Sequence, residues 1–181
     1  MRKLLLVIGV ASIGLLLAGC VPPAPTGTAT PRPSSTPIFA SDEEALAAAE
    51  TAYAAYLKLA DQIFVEGGVN PERLSAVATG SFLSTSVEGY QDAESRGWQS
   101  TGGTVFRGMT LQSYDRVGDK AVVIVYVCED VSMVNVVDGA GLSVVSPNRP
   151  NTTLFQSTFD LDPERKDLLL AGREAWSNDP C

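Results

Sequence analysis

The chain has 181 residues, of which 13 are basic and 21 acidic, so its formal net charge is −8 at pH 7. An acidic balance disfavours nucleic acids and anionic lipids as partners, because both select basic surfaces. The sequence has no histidine, which excludes within this chain Ser-His-Asp and Cys-His catalysis, histidine-ligated metals and a histidine pH switch.

The first predicted element is an export signal. Arg2 and Lys3 precede an apolar run over residues 4–17, which is short for a membrane span, since a transmembrane helix takes about 20 residues. The run ends in "LAGC", which resembles the lipobox of bacterial lipoproteins. In that family the peptide is cut before the cysteine, whose sulfur receives a diacylglycerol. The alternative is an ordinary signal peptide with a cysteine at its cleavage site.

This resemblance implies that residues 1–19 are a signal peptide and that Cys20 is the lipid anchor. Two acyl chains suffice for stable anchoring, so the protein is expected at the extracytoplasmic face of the bacterial cell membrane. Residues 20–40 continue as a segment rich in Pro, Thr and Ser with little charge. Such a segment favours extended conformations, and about 20 residues at about 3.1 Å each reach roughly 60 Å. It is predicted to be a stalk.

Residues 41–181 are predicted to form one domain of about 140 residues, close to the commonest domain size. Its first half has helical periodicity. Ser41 and Glu44 form a capping box, apolar residues then recur at spacings of three and four, and Gly67-Gly68 ends this long helix. Asn70-Pro71 is predicted to start a short second helix, with asparagine as its N-cap. A third helix is predicted over residues 82–96.

The second half of the domain changes to the period of strands. The predicted strands cover residues 105–114, with a bulge at Gly108, then 120–131, two short pieces joined by a Gly-rich turn within 133–145, and finally 154–161 and 168–176. The 120–131 segment is apolar on both faces, as expected of a central strand. Helices followed by mostly antiparallel strands indicate an α+β fold.

This order of elements resembles the NTF2-like cone fold, in which N-terminal helices pack on a curved, mostly antiparallel sheet. The lipobox, the Pro/Thr stalk, "LQSYD", "VYVCEDVS" and the terminal "LLLAGREAW…C" together are similar to uncharacterised lipoproteins of actinobacteria. The similarity extends over essentially the whole mature chain. It implies a compartment and a fold for residues 41–181, and it implies no particular chemistry.

Two cysteines remain once Cys20 is lipidated. Cys128 lies within the central strand and Cys181 is the last residue, 53 positions later (181 − 128). Exported domains fold where thiols oxidise, so we predict a disulfide worth about 4 kcal/mol in the chain-entropy model. The alternative is an inert core thiol at Cys128 and a free terminal thiol at Cys181. A redox or metal pair is disfavoured, because Glu129 and Asp130 raise thiol pKa values and a metal needs more ligands.

NTF2-like proteins often have a cavity between the long helix and the sheet, and some perform acid–base chemistry there. The residues of suitable type to line such a pocket here are Tyr53, Tyr56, Tyr90, Trp98 and Tyr126, with Asp61 and Asp130 as carboxylates. Their spacing does not pair one carboxylate with one tyrosine, and tyrosines at helical spacing are more often core residues. The acidic segment 160–167 is predicted to be a hairpin turn rather than a calcium loop, because Arg165 replaces the loop glycine.

Three functions remain open. The first, and preferred, is a non-catalytic protein-interaction module that binds an envelope protein or a second copy of the chain. The second is binding of a small apolar ligand in the cone cavity. The third is an enzyme of isomerase or dehydratase type, which needs a carboxylate of raised pKa inside that cavity. No catalytic, cofactor-binding or metal-binding residue is predicted.

Overall fold

The computed structural model describes residues 38–117, 120–177 and Cys181. The predicted signal peptide, Cys20 and the stalk up to residue 37 lie outside the described residues. The elements in chain order are α1 (Asp42–Val65), a 3₁₀ helix (Pro71–Ala76), α2 (Gly80–Ser95), β1 (Gln99–Thr101), β2 (Val105–Val117), β3 (Lys120–Asp130), β4 (Asn135–Val137), β5 (Thr152–Leu161) and β6 (Leu168–Ser177).

The strands form one large and one small sheet. The large sheet has the order β2-β3-β5-β6 with antiparallel neighbours, and β1 pairs with β4 in the small one. The helices contact the large sheet chiefly through α1 on β2 and β6 and through α2 on β6. The predicted α+β class, with helices packed on an antiparallel sheet, is therefore confirmed.

Helix α1 begins and ends as its sequence predicts. The Ser41 hydroxyl accepts a hydrogen bond from the Glu44 amide at 3.3 Å, and the Glu44 carboxylate accepts one from the Ala40 amide at 2.5 Å, which forms a capping box shifted by one residue. At the other end Gly68 has a φ of +84°, and a Cβ there would lie 2.3 Å from the Tyr90 carbonyl oxygen. Only glycine fits this turn, which follows α1 and lies against α2.

Two predicted elements differ in the structure. The second helix is a 3₁₀ helix, since six residues allow little α-helical bonding. Asn70 precedes it in the left-handed region (φ 52°, ψ 54°) without a side-chain capping bond, whereas an N-cap residue ordinarily has an extended backbone. In the predicted hairpin of 133–145, the first arm, β4, pairs with β1. The second arm is reduced to one bridge between Val137 and Ser143. The Gly108 bulge is confirmed by a register shift between Arg107 and Thr110.

The hydrophobic core lies between α1 and one face of the sheet. Strand β3 alternates in burial, so that Ala121, Val123, Val125 and Val127 are buried on the helix side. Its other face is half-buried, although this strand has neighbours on both edges. The prediction that β3 is a central strand is therefore confirmed. Its two faces differ, however, because the helices cover only one of them.

The predicted disulfide between Cys128 and Cys181 is confirmed, with a Cα–Cα distance of 5.8 Å. Cys128 lies on β3 opposite Leu154 of β5. The bond therefore joins Cys181, which follows the edge strand β6 in sequence, to the central strand β3.

Candidate functional site

The five aromatic residues that the sequence places around a cavity do not share one. Tyr53 and Tyr56 lie on the buried face of α1, with ring centroids 6.1 Å apart. Tyr56 and Tyr90 line a surface pocket of about 280 Å³ between the two helices, and Trp98 lines a separate groove. Tyr126 lies on the face of the sheet away from α1, against Trp176 at 5.1 Å.

The space between α1 and the sheet is filled by aromatic rings around Tyr53. This side chain is fully buried and meets Phe106 and Phe159 edge to face, with centroid distances of 5.3 and 6.1 Å. Phe159 is also fully buried. The place where the sequence suggests a ligand cavity is therefore occupied by the protein's own side chains.

A buried polar cluster lies within this core and comprises Tyr53 of α1, Glu129 of β3 and Arg173 of β6. The Tyr53 hydroxyl and the Arg173 Nε both donate to Glu129 Oε1, the latter at 2.7 Å, and Arg173 Nη2 donates to Oε2. The Glu129 side chain is only 2% exposed. Arg173 also stacks on Phe155, with its Cζ 3.7 Å from the ring centroid. Both carboxylate oxygens thus have donors from the chain itself.

The electrostatics of the cluster favour a fixed network. Burial, together with the charge of Glu129, raises the pKa of Tyr53 above its ordinary value of about 10. Burial by itself would lower the pKa of Arg173, but the hydrogen bonds and charge of Glu129 outweigh it, so that pKa is raised. Burial also raises the pKa values of Tyr56 and Tyr90. At neutral pH all three phenols are therefore hydrogen-bond donors, and Arg173 is a permanent cation.

The two carboxylates that the sequence offered as bases hold loops in place. Asp61 accepts hydrogen bonds from the Thr104 amide at 2.8 Å and its hydroxyl at 3.0 Å. Asp130 accepts bonds from the Ser132 amide at 2.9 Å and from Arg107 at 3.1 Å. Their oxygens satisfy the backbone of chain reversals, which is a structural use of a carboxylate.

A groove of about 270 Å³ lies at one end of the domain. We call it the Trp98 groove, and its lining residues are Phe64, Trp98, Val136, Val144, Val145, Ser146 and Arg149. Phe64 comes from the end of α1, Val136 from β4, and the last four from the loop that follows β4. The groove is therefore built where three separate segments meet, which their spacing in the sequence does not reveal.

Trp98 is positioned by the end of α2 and by the small sheet. Its amide donates to the Ala93 carbonyl at 2.9 Å, and the next residue opens β1. The guanidinium of Arg96 lies over the indole, with its Cζ 4.9 Å from the ring centroid. Cations are attracted to the face of an indole, so Arg96 helps to hold the ring that lines the groove.

Arg149 crosses from the loop onto the turn after β3. Its Nη2 donates to the carbonyls of Val131 and Val134 at 2.9 and 2.7 Å, while its Nε is buried without a hydrogen-bond partner. A buried unpaired N–H is rare in native proteins and costs free energy. Arg149 is thus incompletely satisfied by the residues around it.

Exposed apolar side chains concentrate around this groove. We call the region the loop end; it comprises the last turn of α1, residues 98–105 and residues 131–149. Gly102 shows how closely its segments pack, because a Cβ there would lie 1.9 Å from the Met133 carbonyl oxygen. Among the described residues seven large apolar side chains are exposed, and five belong to the loop end: Val65, Val105, Met133, Leu142 and Val144. Clustered exposed apolar groups mark interaction surfaces.

The open face of the large sheet has a different character. Gln156 donates to Gln112 at 2.7 Å and to the Tyr126 hydroxyl at 3.4 Å. Trp176 is exposed at the edge strand beside Tyr126. This face therefore combines one aromatic pair with two amides that bond to each other.

The acidic turn after β5 is a turn, as predicted. Asp162 accepts hydrogen bonds from the amides of Glu164 and Arg165, at 2.9 and 3.1 Å, and from the Arg165 side chain at 2.8 Å. In the described part of the chain no three Asp, Glu or Cys residues are arranged to hold a metal ion. Within the same ranges no helix is long and apolar enough to span a membrane.

Sequence reasoning missed Glu129, Arg173 and Arg149 as site residues. Glu129 had a usable signal, because it follows Val123, Val125 and Val127 at the period of two that points to the core. A carboxylate on such a face needs a buried cation as partner. Arg149 had no comparable signal, since it lies in a loop and its environment comes from distant segments.

No family model and no curated protein matches the chain. Among solved structures the fold is similar to that in the crystal structure of the intermembrane space region of chloroplast protein ARC6. The TM-score is 0.53 at 12% sequence identity, and the match covers 72% of this chain and 95% of that chain. At this identity the likeness concerns the fold alone.

Proposed function

We propose that the protein is a lipid-anchored lipoprotein of the bacterial envelope, whose domain is NTF2-like and acts as a non-catalytic protein-interaction module. The lipobox-like "LAGC" supports the anchor on Cys20, and the Cys128–Cys181 disulfide suits an oxidising, extracytoplasmic compartment.

The NTF2-like assignment is supported by the way α1 lies along one face of the sheet. Register shifts occur in β2 beside β3 and again between β5 and β6. Bulges of this kind bend and twist a strand, which lets the sheet curve around the helix. The order of helices before strands is also that of the cone fold.

One observation carries the interaction function: the domain's interior is filled, whereas its loop end is exposed and apolar. Tyr53, Glu129 and Arg173 satisfy one another inside the core. At the loop end, Met133 and Leu142 are 78% and 67% exposed, beside a groove that contains a tryptophan and an arginine. Trp, Met and Arg are enriched in protein interfaces.

The anchor is tested by expressing the full chain and Cys20→Ala in an actinobacterial host. The unchanged protein should fractionate with the membrane, and the variant should appear in the medium. A Cys20→Ala protein that stays with the membrane would contradict the lipid anchor.

The interaction function is tested by placing a photo-crosslinking amino acid at Leu142, at the loop end, or at Gln112, on the open sheet face. We expect one defined crosslinked product from Leu142 and none from Gln112. Once the partner is identified, capturing that partner should recover the same crosslinked product. A product of twice the chain's mass would identify the partner as a second copy. If both positions give the same nonspecific crosslinked products, the loop end is not the interaction surface.

Binding of a small apolar ligand is the second candidate, because Tyr56 and Tyr90 line a pocket with Phe64. Native mass spectrometry of the full chain after incubation with envelope extract tests it. A small-molecule adduct that survives buffer exchange and is lost in Tyr90→Ala would favour this candidate over the interaction module.

A further inference from the structure

The Trp98 groove contains a cation to which the described residues give no counter-charge. Six arginine side chains are described, and five of them form an ion pair with a carboxylate: Arg73, Arg96, Arg107, Arg165 and Arg173. Arg149 is the sixth, and within residues 38–117 and 120–177 its hydrogen bonds go only to backbone carbonyls. In a chain with a net charge of −8, leaving one guanidinium uncompensated is a distinctive feature.

The surroundings of Arg149 are suited to an apolar group. Trp98 and Phe64 supply aromatic surface, and Val136, Val144 and Val145 supply branched aliphatic surface. Arginine stays charged at any physiological pH and bonds most strongly to carboxylates. A ligand that matches both features has a carboxylate directly attached to an apolar body.

The size of the groove limits that body. Pockets for drug-sized ligands have volumes of roughly 300 to 1,000 Å³, and this groove has about 270 Å³. It accommodates one large side chain with its carboxylate, while the exposed Leu142 and Met133 extend the apolar surface beyond it. A polypeptide end fits this arrangement, because its last residue fills the groove and its preceding residues lie on the rim.

We propose that the Trp98 groove binds the C-terminal residue of a partner polypeptide, with its apolar side chain against Trp98 and its carboxylate on Arg149. This inference rests on the proposed interaction function and names the chemistry that the partner presents. The alternative is that Arg149 has only a structural role and stabilises the turn through its bonds to the carbonyls of Val131 and Val134. That role uses Nη2 alone and requires neither Trp98 nor the open groove.

The chain has two tryptophans, which provide a reporter and an internal control. Trp98 lines the groove, and Trp176 lies on the open sheet face. In the full chain, purified in detergent with ¹⁵N-labelled tryptophan, the two indole signals are assigned with Trp98→Phe and Trp176→Phe. The probe is the acetylated peptide Gly-Gly-Phe with a free carboxylate, compared with its C-terminal amide and with 3-phenylpropionate.

We expect the free peptide to shift the Trp98 signal and leave the Trp176 signal in place. The amide should bind about tenfold more weakly or worse, since it loses the charge-assisted bond. Arg149→Gln should weaken the free peptide about as much, whereas Arg107→Gln, which removes an exposed arginine outside the groove, should have no effect. Equal binding of peptide and amide, or a shift of Trp176 alone, would overturn the proposal. If 3-phenylpropionate binds more tightly than the peptide, the ligand is a small free acid and not the end of a polypeptide, which would overturn the proposal.

Arg149→Gln also removes the bonds to two carbonyls, so a second variant is needed. Val144→Asp leaves those bonds intact and places a carboxylate at the groove. It should weaken the free peptide several-fold by competition and repulsion; unchanged binding would contradict the proposed carboxylate position. If no probe binds while the Leu142 crosslink persists, this inference fails and the interaction module stands. Loss of both would overturn the module as well.

Discussion

The buried cluster and the Trp98 groove use the same kinds of side chain for different ends. In the core, Arg173 stacks on Phe155 and is held by both oxygens of Glu129. At the loop end, Arg149 lies in a groove with Trp98, and among the described residues it bonds only to carbonyls. The difference is the carboxylate: Arg173 has one and stabilises the fold, whereas Arg149 has none in the described part of the chain and is proposed to bind that of a partner.

The comparison also separates the residues that tie the fold together from those that we propose bind a partner. Glu129 is nearly inaccessible, and its partners come from α1 and β6, so the cluster ties the first helix to the last strand. The groove, by contrast, is assembled by loops at the end of α1, where strands have three residues each. Surface loops are where binding residues concentrate in proteins with a rigid scaffold.

Removing the carboxylate of the cluster should have the largest effect on stability. Glu129→Ala leaves Arg173 largely buried and unpaired, which costs about 4 kcal/mol when a buried pair is broken. Urea unfolding measures this loss. Asp130→Ala, which removes the neighbouring, partly exposed carboxylate, should lose much less. Combining Tyr53→Phe, Glu129→Leu and Arg173→Met removes all three polar groups of the cluster and should recover much of the stability. No recovery would contradict the assignment of the loss to an unpaired buried arginine.

Breaking the disulfide should lower the free energy of unfolding slightly less than Glu129→Ala does. Cys181→Ala releases the end of the chain from β3, and the unfolded chain regains conformational freedom. We expect a loss of about 3 kcal/mol, because residual structure in the unfolded chain reduces the chain-entropy figure of about 4 kcal/mol. Thermal unfolding with and without reductant measures it, since only the unchanged protein should respond to reductant. Alkylation under denaturing, non-reducing conditions should label neither Cys128 nor Cys181 in the unchanged protein; labelling of both would contradict the bond.

Alkaline pH should reveal the buried phenol. Because the pKa of Tyr53 is raised in the folded protein, the unfolded chain loses this proton first, above about pH 10. The contribution of Tyr53 is therefore fully present below pH 10 and declines as the pH rises further. Urea midpoints between pH 8 and 11 should fall more steeply for the unchanged protein than for Tyr53→Phe, and parallel curves would contradict the shift.

Changes in the groove should affect stability least. Trp98→Phe and Arg149→Lys each alter an open surface site, so we expect losses of about 1 kcal/mol or less. The same urea experiment applies, with Trp176→Phe as a matched change on the open sheet face. A loss as large as that of Glu129→Ala would place Arg149 among the structural residues and remove the contrast between the two regions.

Local patterns predicted most of the elements. The Ser41 cap, the glycine pair after α1 and the Gly108 bulge depend on bonds and dihedral angles within a few residues, so the sequence contains the whole cause. The 3₁₀ form of the second helix was not predicted, although its cause, a length of six residues, is local. The pairing of β4 with β1 was not predicted either, because it joins segments far apart in the chain. Tyr126 was grouped with Tyr53 for the same reason: residue type does not say which face of a sheet a side chain occupies.

The sequence by itself determined the order of helices and strands, the pair of cysteines available for a bond, and the acidic, histidine-free character that limits the chemistry. These follow from composition and from periodicities that act over one or two turns. Only the tertiary structure decided that Tyr53 fills the core, that Glu129 has Arg173 as its partner, and that Arg149 has no carboxylate among the described residues. Ion pairing and burial depend on atoms brought together from distant positions, and a linear pattern does not contain that proximity.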